Sequence, residues 1–302
     1  MKIYDIAIIG GGPAGYSAAL YGARAGYDTV VVEKLSAGGQ MALTGDIDNY
    51  PGFEDGIDGF TLGMKMQQSA ERFGAVTKYT EIKDVFLSQD VKRLVSADGE
   101  ILAKNVIIAT GAYPRELGLE GEQDYIGRGI HYCAHCDGRF YKGKTVVVVG
   151  GGNSAAEDAL YLSKLAKKVY VVHRRDKLRA EKVYHEPLNN ASNIEFIWDP
   201  AVTGFEGTDR VEAAKLENLK NGEKSILAAD AIFVSIGRKP ATEFLGESVS
   251  LDSHGYIVAG EDTKTNIPGV FAVGDVRTKM LRQVVTAVAD GAVAVAEIGN
   301  NI

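Results

Sequence analysis

The stretch "DIAIIGGGPAGYSAALYGARAGYDTVVVE", residues 5–33, decides how the chain is built. Ile6–Ile9 is a short apolar run that reads as a buried strand. Gly10, Gly12 and Gly15 form G-x-G-x-x-G directly after it, and Ala14, Ala18, Ala19 and Ala23 mark a helix. Val30–Val32 reads as a second strand, closed by Glu33. The first glycine permits a tight turn, the second lets the backbone approach a pyrophosphate, and the third lets helix and strand pack closely. The helix start offers free N–H groups and a positive dipole end to phosphates. Glu33 can accept hydrogen bonds from a ribose hydroxyl. Three glycines alone would be a turn, but strand, glycines, helix, strand and acid in this order specify a dinucleotide unit.

Residues 145–180, "TVVVVGGGNSAAEDALYLSKLAKKVYVVHRRDKLRA", repeat the plan. Val146–Val149 is the strand, Gly150, Gly152 and Ala155 form G-x-G-x-x-A, a helix follows, and Val169–Val172 is the second strand. The spacing that separates Gly10 from Glu33 carries Gly150 to His173, which Arg174 and Arg175 follow. An acid repels a 2′-phosphate, whereas arginines pair with it through charge-assisted bonds. Arg174 and Arg175 therefore sit where the 2′-phosphate of NADP would lie. Arg179 would share a face with Arg175 if the segment is helical. A charge run on its own is a solvated turn; register with Glu33 is what makes this one a site. The first unit should bind FAD or NAD, and the second NADPH.

Between the units stands "GIHYCAHCDGR", residues 129–139, with both cysteines of the chain, Cys133 and Cys136, and two of its five histidines, His131 and His135. Read alone, it fits a metal knuckle, a structural staple or a redox-active dithiol. The context favours the dithiol. Hydride passes readily from NADPH to a flavin, and a flavin can pass two electrons to a disulfide. That chemistry favours FAD over a second nicotinamide in the first unit. Zinc wants four ligands, and the chain has one C-x-x-C with no second pair, so His131 and His135 would have to complete the set from one short segment.

The rest of the chain bounds the class. Its 302 residues are 45% hydrophobic and 24% charged, the composition of a soluble globular protein of about two domains. A formal net charge of -7 argues against nucleic acid or anionic lipid as partner. No apolar run approaches a membrane span. The N-terminus does not read as a signal peptide, and two cysteines do not make a secreted disulfide scaffold, so a cytoplasmic protein is expected. "NVIIATGAYP" (105–114) and "DAIFVSIGRKP" (230–240) are similar strand–Gly–Pro exits that bracket the second unit. "IPGVFAVGD" (267–275) is strand-like again, and Leu281–Ile298 reads as a helix. The expected fold is α/β, with two Rossmann-like dinucleotide-binding domains. An FAD domain of residues 1–112 and 241–302 is interrupted by an NADPH domain of residues 113–240 that carries the C-x-x-C.

With these motifs in hand, the whole chain resembles the low-molecular-weight bacterial thioredoxin reductases. The matching segments are "GGGPAG", "GGQMALTGDIDNYPGF", "CAHCDG", "GGGNSA", "HRRDKLRA" and "GVFAVGDVR…RQVVTAVADG", in the family's order. The resemblance implies that Gly10, Gly12, Gly15 and Glu33 hold the adenosine diphosphate half of FAD. Gly39, Gln40, Asn49 and Thr110 would lie around the flavin, Asp275 would bind the ribityl chain, and Arg282, Gln283 and Val284 would lie by the isoalloxazine ring. Gly150, Gly152, Asn153, Ser154, His173, Arg174, Arg175 and Arg179 would hold NADPH. By the same resemblance Cys136 lies nearer the flavin, Cys133 attacks the disulfide of a thioredoxin or thioredoxin-like partner, and Asp137 acts as acid/base. An isolated Asp137-Gly138 would be a turn. A homodimer is implied as well.

Dithiol and NADPH site lie on the same inserted domain, yet both must reach one flavin. The family answers by rotating that domain, and Gly111–Pro114 and Ile236–Pro240 are the expected hinges. The chain departs from the family pattern at His135, where threonine or valine is usual, and at Asn153, where an acid is frequent. A histidine beside a thiol can favour the thiolate. Rival readings keep the scaffold and change the donor to NADH or reduced ferredoxin, or the partner to a glutaredoxin-like protein or peroxidase. A ferredoxin–NADP reductase of similar architecture would need no C-x-x-C.

Overall fold

A computed structural model of the protein describes residues 2–43 and 46–300. Thr44 and Gly45, inside the "GGQMALTGDIDNYPGF" segment, lie outside the described residues. The chain divides into two compact units, Met1–Tyr113 with Lys239–Ile302, and Pro114–Arg238.

The first unit is built on a seven-stranded sheet. Its parallel part runs Val76–Tyr79, Thr29–Glu33, Ile3–Ile9, Gly99–Ile108 and Val270–Ala272. Strands buried on both faces read as continuous apolar runs, which is why "TVVVE" shows no alternation. Successive residues still point to opposite faces. Ile6, Ile8, Val31 and Ile107 pack against Ala14, Ala18 and Ala294 of the covering helices. Ala7, Ile9, Val30 and Val32 pack on the other side with Leu94, Ile257 and Val276. The Pro13–Arg24 helix and the last helix, Val284–Asn300, meet through small residues: a Cβ on Gly291 would stand 2.3 Å from the Ala14 carbonyl oxygen. The Ser17 hydroxyl donates to the Val288 carbonyl at 2.7 Å across the same contact.

The second unit repeats this plan with five parallel strands in the order Ile130–His131, Ala231–Val234, Thr145–Val149, Lys168–His173 and Ile194–Trp198. The Asn153–Ser163 helix covers one face through Ala155, Ala156 and Ala159. An antiparallel meander, Pro200–Gly207, Val211–Asn218 and Lys224–Ala228, covers the other through Val202, Val211 and Leu216. The two units differ in where one strand comes from. Beside Gly99–Ile108 lies Val270–Ala272, from the end of its unit, whereas beside Ala231–Val234 lies Ile130–His131, from the start of its own. The turn Gly274–Val276 follows the first of these and the dithiol helix Ala134–Asp137 follows the second. Asp275 and the cysteines thus occupy matching places at the carboxyl edge of a parallel sheet, where such sheets bind ligands.

The exits Ala112–Pro114 and Arg238–Pro240 pair with each other in a two-stranded sheet. Gly111 and Gly237 beside them have φ of 72° and 110°, the left-handed region that glycine adopts without strain. The last helix starts at Val284, not at Leu281 as the sequence suggests. The Thr286 hydroxyl bonds to the Leu281 and Gln283 carbonyls at 3.0 Å each and so takes over part of the first turn.

Candidate active site

The two glycine loops close in the same way. Gly10 N–H donates to the Val32 carbonyl at 2.8 Å, and Gly150 N–H donates to the Val172 carbonyl at 3.0 Å. A Cβ on Gly10 would lie 2.5 Å from the Ala109 oxygen, and one on Gly150 would lie 2.3 Å from the Ser235 oxygen. Gly15 has no room either, with Gly10 O at 1.9 Å from its Cβ position. The middle glycines are the opposite case. Nothing lies within 4 Å of a Cβ placed on Gly12 or Gly152, so each loop presents an open cradle at a helix N-terminus. Those cradles fit the diphosphate of a dinucleotide.

The acid and the histidine that follow behave differently. Glu33 is buried, and its two oxygens accept from the Gly11 N–H at 2.7 Å and the Leu35 N–H at 2.9 Å. Each oxygen keeps a second lone pair for a ribose hydroxyl. His173 is 4% exposed, and its ring covers Gly151 so closely that a Cβ there would stand 2.4 Å from it. Its Nε2 is the buried side-chain nitrogen or oxygen that lacks a hydrogen-bond partner among the described residues. Burial, then the charges of Arg179, Arg175 and Arg174, push the imidazole below its ordinary range. An orphaned nitrogen beside three arginines suits an incoming nucleotide. Residues 174–180 are bends rather than a helix, so Arg179 does not share a helical face with Arg175. Its backbone N–H instead donates to the Gly151 carbonyl at 2.6 Å, which folds the arginine segment back onto the glycine loop. Asn153 spans the same gap, accepting from the Glu181 N–H at 2.9 Å and donating to its carboxylate at 3.0 Å. Ser154 is exposed beside it.

Around the first cradle the structure gathers residues far apart in sequence. Gly39 lies against Gly12, with a Cβ position 3.4 Å from the Gly12 Cα. Gln40 stands next on the same short helical turn, Gly39–Leu43. Asn49 donates to the Gln283 side chain at 2.9 Å. Val284 packs on the cluster of Met41, Ile47 and Leu62. Thr110 adjoins Gly10 and donates to the Ala241 carbonyl at 2.7 Å. Arg282 reaches the carbonyls of Asp275 at 3.4 Å and Arg277 at 3.3 Å and lies 4.1 Å from the Tyr256 ring centre.

Sequence reading missed what holds this turn. Asp290, on the last helix, accepts from Gly274 N–H, Arg277 Nε and Nη2, and Lys279 Nζ, each at 2.8 Å. Burial pushes its carboxyl up, but Arg277, Lys279 and the Gly274 N–H outweigh that and hold it below the usual carboxylate range. Asp290 in the otherwise apolar and small-residue run "VVTAVADGAVAVA", with Arg277, Lys279 and Arg282 just upstream, is the signal that points to it.

Cys133 and Cys136 are joined as a disulfide, with Cα atoms 5.3 Å apart. Both are half-buried at the start of the Ala134–Asp137 helix, and Cys136 N–H donates to Cys133 Sγ at 3.2 Å. Such a donor favours a thiolate on Cys133 once the bond is reduced. Gly138 lets this helix press on Asn153–Ser163, since a Cβ there would meet Leu162 at 2.8 Å. His135 is exposed and its ring lies 4.2 Å from that of Tyr161. Nearby, burial pushes the Asp158 carboxyl up, against the Ser235 hydroxyl that donates to it. Beneath the dithiol, buried His131 meets Asp137 Oδ2 at 3.1 Å and the Tyr141 hydroxyl at 2.7 Å.

Comparison with known proteins gives the family. Residues 4–291 match the family model described as pyridine nucleotide-disulphide oxidoreductase. The thioredoxin reductase of Listeria monocytogenes serovar 1/2a is 46% identical over 295 residues, covering 97% of this chain and 92% of that protein. The thioredoxin reductase of Peptoclostridium acidaminophilum is 45% identical over 97% of this chain and 95% of its own. The crystal structure of thioredoxin reductase from Streptococcus pyogenes MGAS5005 superposes with a TM-score of 0.90 at 44% identity, covering 99% of this chain and 97% of that one. Two dinucleotide cradles, a C-x-x-C disulfide at a sheet edge and these likenesses lead to one conclusion: the chain belongs to the pyridine nucleotide-disulphide oxidoreductase family, among its flavoprotein thioredoxin reductases.

Proposed function

We propose that the chain carries reducing equivalents from NADPH, through FAD, to the disulfide of thioredoxin. The observation that carries this reading is the Cys133–Cys136 disulfide at the carboxyl edge of the second sheet, packed on the helix that starts at the Gly152 cradle. FAD, when bound, supplies two-electron exchange between a nicotinamide and a disulfide. The cradle of Gly10, Gly12 and Gly15, with Glu33, Gly39, Gln40, Asn49, Thr110, Asp275, Arg282, Gln283 and Val284 around it, would hold it. Gly150, Gly152, Asn153, Ser154 and His173 would hold NADPH, with Arg174, Arg175 and Arg179 on the 2′-phosphate.

The residues of the dithiol divide the exchange among them. The Cys133 thiolate attacks one sulfur of the partner's disulfide, and the other partner sulfur leaves as a thiolate. Asp137 takes the Cys136 proton and returns a proton to the leaving sulfur. Cys136 then attacks Cys133 Sγ, restores the enzyme disulfide and frees the partner's second thiolate. Two electrons and one proton have then left the enzyme dithiol for the partner, whose second sulfur takes its proton from solvent. A cytoplasmic homodimer is the setting we propose.

Anaerobic titration with NADPH or NADH, followed by oxidised thioredoxin, tests the reading. NADPH should bleach the flavin at low stoichiometry, and thioredoxin should restore the oxidised spectrum. Cys133→Ser should lose thioredoxin reduction while NADPH still bleaches the flavin. Flavin reduced only by NADH or ferredoxin would move the chain to another donor, and retention of thioredoxin reduction by Cys133→Ser would remove the dithiol mechanism.

A further inference from the structure

The described structure gives Asp137 a partner that the reaction above does not use. His131 ends the short strand Ile130–His131, is 7% exposed, and lies stacked on Phe233 at 5.3 Å between ring centres. Its Nδ1 is 3.1 Å from Asp137 Oδ2, and its Nε2 is 2.7 Å from the Tyr141 hydroxyl. A carboxylate only accepts, so Nδ1 carries the proton whenever Asp137 is ionised. Nε2 of the neutral ring then accepts from the Tyr141 O–H. Tyr141 fills that role well, because burial and the neighbouring charge of Asp137 push its phenol up and keep it protonated. One arrangement of donors and acceptors therefore satisfies all three side chains.

We propose that His131 is a positioning residue for the dithiol exchange. It fixes one oxygen of Asp137 by a buried N–H donor, and so sets the aim of the carboxylate. A surface-facing Asp137 could swing freely between rotamers; one tied to a buried ring anchored on Phe233 and Tyr141 cannot. The inference rests on reading Asp137 as the acid/base. The other charges facing this group are Arg210 and Asp230 beside Tyr141, and Lys144, whose ammonium is 5.7 Å from the Tyr141 ring centre. The charge that His131 itself meets is Asp137.

The test is the pH profile of thioredoxin-disulfide reduction by pre-reduced enzyme, in wild type, His131→Phe, His131→Asn and Asp137→Asn. Each rate is normalised to the rate of flavin reduction by NADPH in the same sample, so that damaged protein is recognised. His131→Phe keeps ring packing and loses the donor. It should slow the exchange about tenfold, below the hundredfold or more that a general acid/base supplies. His131→Asn, whose amide N–H replaces Nδ1–H, should return the rate to within about threefold. An undiminished rate in His131→Phe overturns the proposal, and so does His131→Asn as impaired as His131→Phe. A wild-type profile in Asp137→Asn removes the acid/base reading and the proposal with it. Loss in Asp137→Asn beside an unchanged His131→Phe removes the proposal alone.

Discussion

At Glu33 and His173, one position in a repeated motif has been given two jobs. Glu33 holds its own glycine loop through the Gly11 and Leu35 N–H groups and can still meet a diol. His173 covers Gly151 and leaves its Nε2 unpartnered among the described residues, and on the proposed function the exposed Arg174, Arg175 and Arg179 would take the phosphate. Arg174→Ala or Arg175→Ala should raise KM for NADPH by roughly tenfold, the scale of one charge-assisted hydrogen bond. KM for NADH should change little, which steady-state kinetics with both donors checks. The contrast was legible in the sequence because equal spacing from equal glycines places the two residues in register. The bond from Arg179 N–H to Gly151 was not, since it depends on a run of bends that charge patterning does not encode. His131 was visible as a residue but its role was not, because its stacking on Phe233 and its contact with Asp137 need the fold.

The last helix shows how one buried acid can hold a turn that belongs to another element. Asp290 draws Gly274, Arg277 and Lys279 onto the helix, and Gly274 leads directly into Asp275. Replacing it with asparagine leaves two cations under-compensated in a buried place. Asp290→Asn should cost about 3–5 kcal/mol at pH 7, as breaking a buried ion pair does, and should weaken flavin retention. The pH dependence follows from the lowered carboxyl. A depressed folded value means that the stabilisation is fully present above the ordinary carboxylate range, near pH 4. It is lost only as pH falls through the still lower folded value. Urea unfolding should therefore show the same gap between wild type and Asp290→Asn at pH 7 and pH 5, closing below about pH 4. The helix itself was readable from its apolar run, whereas its starting residue was not. Thr286 decides it by bonding back to Leu281 and Gln283, a local choice between two ways of satisfying the same carbonyls.

At the scale of the whole molecule, two matching units and two exits were readable because glycine motifs and strand–Gly–Pro patterns recur. The different origin of one strand in each unit was not, because Ile130–His131 is too short to stand out and Val270–Ala272 returns from far along the chain. If the exits are hinges, restricting them should slow the catalytic cycle. Alanine at both Gly111 and Gly237 meets no steric obstacle closer than 3.7 Å, so its effect is on backbone freedom, about 1–2 kcal/mol per residue at positive φ. Steady-state turnover should fall several-fold, and unchanged turnover would remove the hinge reading. The same exits bear on how the chain reaches its folded state. Val270–Ala272 must find Gly99–Ile108 across everything that lies between. A random coil of that length resists closure. Once Pro114–Arg238 has folded with its two ends side by side in the Ala112–Pro114 and Arg238–Pro240 ribbon, the gap is spanned by a folded unit instead of a coil. The inserted unit should then acquire protection from hydrogen exchange first during refolding, and the outer sheet should close last, with the guest serving as the host's turn.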